Sequence, residues 1–218
     1  MAKTMKPTVD HYIKYKNEVQ YFASFKYLKK HYQNKRVLDL GCGTGGYLEY
    51  FGKGSVGIDA STYNLRRCKE KGLKAISHDL NKKLPLPSGS FDCVFCSHTL
   101  EHVDSPINLL REINRVLKKD GTIIIGLPTD YSVHSLLIDN FFKGHSGHLY
   151  SFSLDNLGQL FKKTGFSHQA TYLDLNLVRR LKIEFVMDIM NWFPAKMFMW
   201  IAPAFWYAGE KTENCLVI

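Results

Sequence analysis

A rhythm constrains this chain more than any single residue does. From residue 36 onward, short apolar runs alternate with longer amphipathic ones. "RVLDLG", "SVGID", "LKAISHD", "FDCVFCS", "GTIIIGLP" and "SHQATYLDL" read as strands, while 45–53, 62–71, "SPINLLREINRVLKKDG" and "SFSLDNLGQLFKKTGF" read as helices. In the third of these helices Ser105 is a candidate cap, Pro106 suits the first turn and Gly121 a stop. Strands that alternate with helices imply right-handed crossovers and therefore a mostly parallel, doubly wound α/β sheet with helices on both faces. About seven strands are expected, the last one antiparallel. Ligands of such sheets gather at the carboxyl ends of the strands, near the point where the strand order reverses.

A chain of 218 residues suits one domain. Its expected parts are a helical cap over 1–35, a ligand-binding core over 36–175, an apolar insertion or lid over 176–210 and a closing strand over 211–218. Hydrophobic residues at 45% and charged residues at 22% exclude a disordered or fibrous chain. The five cysteines are scattered and odd in number, and the first residues lack the pattern of a signal peptide, so a reducing cytoplasm is expected. Cys93 and Cys96 lie three apart on a strand and point to opposite faces, so no metal is expected there.

The formal charge of +9 makes anionic partners plausible, although the lysines near the start also suit the solvated side of an amphipathic cap. Residues 185–208, "FVMDIMNWFPAKMFMWIAPAFWYA", are long enough to span about 30 Å as a helix. Asp188, Asn191, Lys196 and two prolines argue against a membrane span. The segment therefore reads as core, as a lid over an apolar acceptor, or as a contact with a partner subunit or with a membrane surface at its inner face.

The ligand is written in the loop "DLGCGTGGYLEYF". Gly41, Gly43 and Gly46 fit a dinucleotide pattern, and Gly41, Gly43 and Gly45 fit another nucleotide-type loop. Asp39 stands two positions before Gly41, where a carboxylate repels a pyrophosphate and suits an ammonium. Asp59, ending the second strand, can accept hydrogen bonds from ribose hydroxyls, and Asp79, ending the third, can reach the exocyclic amine of adenine. Ammonium, ribose and adenine without phosphate describe S-adenosylmethionine.

With these residues in place, "VLDLGCGTGGYLEYF", "VGIDAS", "HDL", "FDCVFCSHTLEHV" and "LLREINRVLKKDGTIIIGLP" resemble the successive motifs of class I S-adenosylmethionine-dependent methyltransferases, in the broad type-11-like group that acts on small molecules, quinones, lipids and sugars. The resemblance covers about 36–175. It implies that Gly41, Gly43 and Gly45 wrap the methionine part and that Asp39 orders it. It also implies that Asp59 binds ribose, that Asp79 and the backbone of Leu80 bind adenine, and that Ser97 lies against the sulfonium. For Asp39 and Ser97, turn hydrogen bonding is the competing structural role.

A sulfonium is already an activated donor, so the protein must mainly align the acceptor and exclude water. A hydroxyl acceptor gains from a base, for which His102 and His148 are the candidates. His98, His145 and Tyr150 are candidates to touch the acceptor. A histidine in "LEHV" equally suits a structural role in its loop. No carboxylate cluster marks a catechol-type metal site, and no metal is expected. "SHTL" replaces the Asn or Asp, Pro, Pro and aromatic run that grips a flipped base, which argues against nucleic acid as substrate. The acceptor reading is therefore a small or lipid-linked hydroxyl compound. The rivals are a cofactor-binding protein without turnover and a nicotinamide-dependent reductase.

Overall fold

The computed structural model describes residues 25–129, 148–174, 185–190, 192–202 and 204–212. Its elements in chain order begin with α1 (Phe25–Tyr32), β1 (Val37–Leu40), a 3-10 turn (Leu48–Tyr50), β2 (Val56–Asp59), α2 (Thr62–Glu70), β3 (Ala75–Ser77) and β4 (Phe91–Ser97). A second 3-10 turn (Leu100–His102), α3 (Pro106–Val116), β5 (Leu117–Pro128), α4 (Leu154–Lys163) and β6 (Phe166–Asp174) follow. The described chain closes with α5 (Phe185–Met190), a third 3-10 turn (Ala195–Met197) and β7 (Ala204–Lys211).

The seven strands form one sheet in the order β3-β2-β1-β4-β5-β7-β6. β1 to β5 pair in parallel, and β7 runs antiparallel between β5 and β6. The expected α/β class and the single antiparallel strand are both present. β1 and β2 are buried along their whole length, which is why they read as unbroken apolar runs and not as alternating ones. On one face Leu38, Leu40, Val94 and Cys96 pack with Leu110, Ile113, Leu157 and Phe161 of α3 and α4. On the other, Leu28 and Tyr32 of α1 pack with Val37, Cys93, Phe95 and Trp206. Cys93 and Cys96 therefore sit in opposite layers, and burial pushes both thiols up, that of Cys93 to about 12. The C-x-x-C holds nothing together.

Three boundaries differ from the sequence reading. The helix expected over 45–53 is only the 3-10 turn Leu48–Tyr50. Gly45 has φ +81° and Gly54 has φ +84°, and the few residues left between them cannot repay the cost of a helical nucleus. α3 ends at Val116 and not at Gly121, and Ser105 makes no side-chain cap. Its stop comes from far along the chain: the ammonium of the buried Lys211 donates to the carbonyls of Asn114 (2.8 Å) and Leu117 (3.1 Å). Orphan carbonyls at a helix end need such donors.

The third difference concerns the last strand, which is not 211–218 but Ala204–Lys211, with residues 213–218 outside the described part. The apolar insertion is correspondingly shorter. Phe205, Trp206 and Tyr207 belong to the core strand, whereas Phe185, Ile189, Trp192, Phe193, Met197 and Trp200 are exposed, Trp192 by 89%. Residues 194–196 of that segment, with α4, β6 and β7, border a cleft of about 730 Å³ lined by Leu154, Lys162, His168 and Tyr207. Among the described residues no helix is long and apolar enough to cross a membrane.

Candidate active site

The strand order reverses between β1 and β4, so the loops that leave these two strands face each other across the switch point. The first lip is the glycine loop. Gly41 has φ +71°, and a Cβ there would lie 2.1 Å from Thr99 Oγ1, so the position requires glycine on both counts. Gly43 has φ +54° and opens onto space free of protein atoms, the cradle a ligand needs in order to approach the backbone. Asp39 is 1% exposed, and its Oδ2 accepts no hydrogen bond from the described residues. Burial, with Cys68 and Asp59 nearby, holds its carboxyl well above the usual range. A buried acid whose Oδ2 has no donor among the described residues, beside an open glycine cradle, is suited to a cationic ligand group.

Asp59 behaves differently from the sequence reading. Its Oδ2 accepts from the Gly43 N–H at 2.9 Å, and its Oδ1 accepts from Ser61 N at 2.8 Å and Asn64 Nδ2 at 3.1 Å. A carboxylate offers about four lone-pair sites, so about one is left for a ribose hydroxyl. The residue is first of all the brace that holds the glycine loop against the start of α2. Asn64, fully buried, was not singled out from the sequence. Asp79 is exposed and accepts from Asn81 N at 3.0 Å, while Leu80 packs against the core.

The second lip follows β4. Thr99, also missed by sequence reasoning, places its hydroxyl 2.9 Å from Ser97 O and 3.3 Å from Leu40 O, tying the ends of β4 and β1 together. His98 has φ +46°, a strained conformation for a residue with a side chain, and its N–H donates to Gly126 O. Its Nδ1 stands 3.6 Å from Oε1 of Glu101, a residue with no exposed surface.

The carbonyl of Glu101 accepts from the N–H groups of Leu149 (2.8 Å) and Tyr150 (3.3 Å), and this clamp brings His148 to His102, with ring centroids 4.8 Å apart. Two imidazoles separated by more than forty residues in sequence thus share one place. The Tyr150 hydroxyl donates to Asp104 O at 2.7 Å, and Asp104 N donates to Asn81 Oδ1 at 2.7 Å, which links the rim of the second lip to the loop after β3. His145 lies outside the described residues.

An α/β sheet with a glycine cradle, a buried acid and a hydrogen-bonded second lip at its switch point defines a nucleotide-type cofactor site. The chain belongs to the Methyltransferase domain family, whose profile matches residues 11–170. S-adenosylmethionine is the cofactor this family implies, and the fold is that of S-adenosylmethionine-dependent methyltransferases of known structure. Family membership sets aside the nicotinamide reading.

A probable methyltransferase of Aspergillus luteorubrus, ltbC, is 31% identical over 141 residues, 55% of this chain and 48% of that protein. The chain spans about half the length of the curated relatives it matches. Among solved structures, a SAM dependent methyltransferase from Archaeoglobus fulgidus superposes with a TM-score of 0.67 at 22% identity, covering 93% of this chain and all of that one. A methyltransferase bound to the Haloferax volcanii Trm112 activator gives 0.69 at 20% identity, covering 94% and 95%. At these identities the likeness is one of fold. The buried acid and open glycine cradle described above fit the methionine part of the implied cofactor.

Proposed function

We propose that the protein transfers the methyl group of S-adenosylmethionine in line to a hydroxyl oxygen of a small or lipid-linked acceptor. The reading is carried by the convergence of His102 and His148 on the second lip, after the strand that ends at Ser97. In this reading Asp39 receives the ammonium, Gly41, Gly43 and Gly45 follow the methionine chain, and Asp59 offers its remaining lone pair to the ribose. Asp79 and Leu80 border the adenine, and Ser97 faces the sulfonium. S-adenosylmethionine supplies the activated methyl group. One imidazole of the pair takes the hydroxyl proton as the O–CH₃ bond forms and the S–CH₃ bond breaks. The electron pair of the broken bond stays on sulfur, leaving S-adenosylhomocysteine. His98 and Tyr150 would contact the acceptor from the rim.

A lipid-linked acceptor is favoured by the exposed run from Phe185 to Trp200. It presents two tryptophans, two phenylalanines, an isoleucine and a methionine to solvent on a chain of formal charge +9. Aromatic side chains with basic surroundings suit the headgroup region of an anionic bilayer, on the cytoplasmic side in this reading.

The test is transfer of a radioactive methyl group from S-adenosylmethionine into an extract of the protein's own host, separated into lipid, polysaccharide, small-molecule, protein and nucleic-acid pools. Label in the lipid, polysaccharide or small-molecule pool is the expected result. Label confined to protein or nucleic acid overturns the acceptor class. Binding of S-adenosylhomocysteine without label in any pool overturns turnover by this chain alone.

A further inference from the structure

We propose that Glu101, His102 and His148 form a binding site for a divalent transition-metal ion of the zinc type. One ligand atom from each of the three lies within 4.8 Å of the others, the arrangement of one carboxylate and two imidazoles that zinc accepts with a fourth position open. Metal–ligand bonds of about 2.0–2.2 Å need ligand atoms about 3.4 Å apart, so closure asks for shifts of about 1 Å. His102, which is exposed, is the ligand with most room to move.

The second observation is the state of Glu101. The residue has no exposed surface, and neither carboxylate oxygen accepts a hydrogen bond from any described residue. His98 Nδ1 stands 3.6 Å from Oε1 of this carboxylate. Burying a carboxylate without donors is unfavourable unless a cation stands against it, and the two imidazoles beside it are neutral donors of lone pairs when they bind a metal. The backbone is prepared as well. The two N–H groups of Leu149 and Tyr150 that donate to the Glu101 carbonyl tie the residues next to His148 to this loop.

The site stands on this geometry alone. Its role beside the acceptor rests on the methyltransferase reading: an ion there would take the acceptor hydroxyl as a ligand and lower its pKa, so that the proton passes to solvent water and not to an imidazole base.

The experiment measures metal binding without S-adenosylmethionine, so that it is independent of turnover. Chelator-treated protein is titrated with Zn²⁺ by calorimetry and with Co²⁺ by absorption spectroscopy, while S-adenosylhomocysteine binding is measured separately on the same samples. We expect one ion per chain, a cobalt spectrum without thiolate charge transfer, and a loss of affinity of about tenfold or more in each of Glu101→Gln, His102→Ala and His148→Ala. Because Glu101→Gln alters a buried position, His102→Ala at an exposed one keeps the test decisive. No binding by the wild type, thiolate bands, or zinc affinity unchanged in His102→Ala and His148→Ala each overturns the site. Failure of S-adenosylhomocysteine to bind overturns the cofactor reading and leaves the metal result standing.

Discussion

The two lips of the switch point are built on opposite plans. The glycine loop is closed on itself: Asp59 ties Gly43, Ser61 and Asn64, and Thr99 reaches back to Leu40, while Asp39 Oδ2 and Asn64 Oδ1 take no hydrogen bond from the described residues. The loop after β4 is held by its backbone around Glu101. The Glu101 carbonyl is doubly satisfied, whereas its carboxylate accepts no hydrogen bond from any described residue. A lip that must bind one invariant cofactor can be rigid down to its hydrogen bonds. A lip that buries a carboxylate without donors does so at a cost in stability.

That contrast can be broken most severely at Gly41. Gly41→Ala places a methyl group against Thr99 Oγ1 at a positive φ, so it should destabilise the protein by about 2–4 kcal/mol and abolish S-adenosylhomocysteine binding. Thermal melting and calorimetry check this, and a variant that melts and binds like the wild type would show that the loops do not press on each other.

Next comes Asp39→Asn, which should weaken S-adenosylhomocysteine by about 10- to 100-fold through loss of a charge-assisted contact. The same change should stabilise the ligand-free protein by about 1 kcal/mol at neutral pH. The sign follows from the raised carboxyl: its favourable state is the protonated one, present below the ordinary aspartate range and lost as pH rises through the raised value. The stability gap between variant and wild type should therefore open on going from acid to neutral pH.

Thr99→Val removes the hydroxyl bridge between β4 and β1 and should cost about 1 kcal/mol in urea unfolding, with a smaller effect on cofactor affinity than Asp39→Asn. A reference far from both lips is His31, whose Nε2 lies 3.0 Å from the Tyr172 hydroxyl. Burial, with Lys30 and Lys35 near, lowers its pKa to about 4. Its contribution is present above the ordinary value of 6.5 and is lost as pH falls towards 4. The partly exposed ring limits this to under about 1 kcal/mol, and His31→Gln should flatten that part of the stability profile.

Most of the sheet was legible in the chain because its strands are buried on both faces and its crossovers obey one handedness. The glycine loop was legible for a local reason, since positive φ and close approach demand glycine in the sequence itself. What misled the reading was the glycine content after the loop, where apolar spacing suggested a helix over 45–53 that the backbone does not form. The aromatic run near the end, open in the sequence between core, lid and surface contact, is divided by the fold. Trp192 and Trp206 belong to one composition, yet the first is exposed by 89% and the second by 1%, because only the second lies in a strand between β5 and β6.

The sequence by itself determined the α/β sheet, the glycine cradle with Asp39 before it, and the acids at the strand ends, all of them features of local spacing. Only the tertiary structure decided that Asp59 braces the loop, that Lys211 ends α3, and that His148 meets His102 over Glu101. Each of those joins residues far apart in the chain through a hydrogen bond, a ring contact or a backbone clamp. Periodicity carries information about which face a residue takes, but not about which distant partner will stand opposite it.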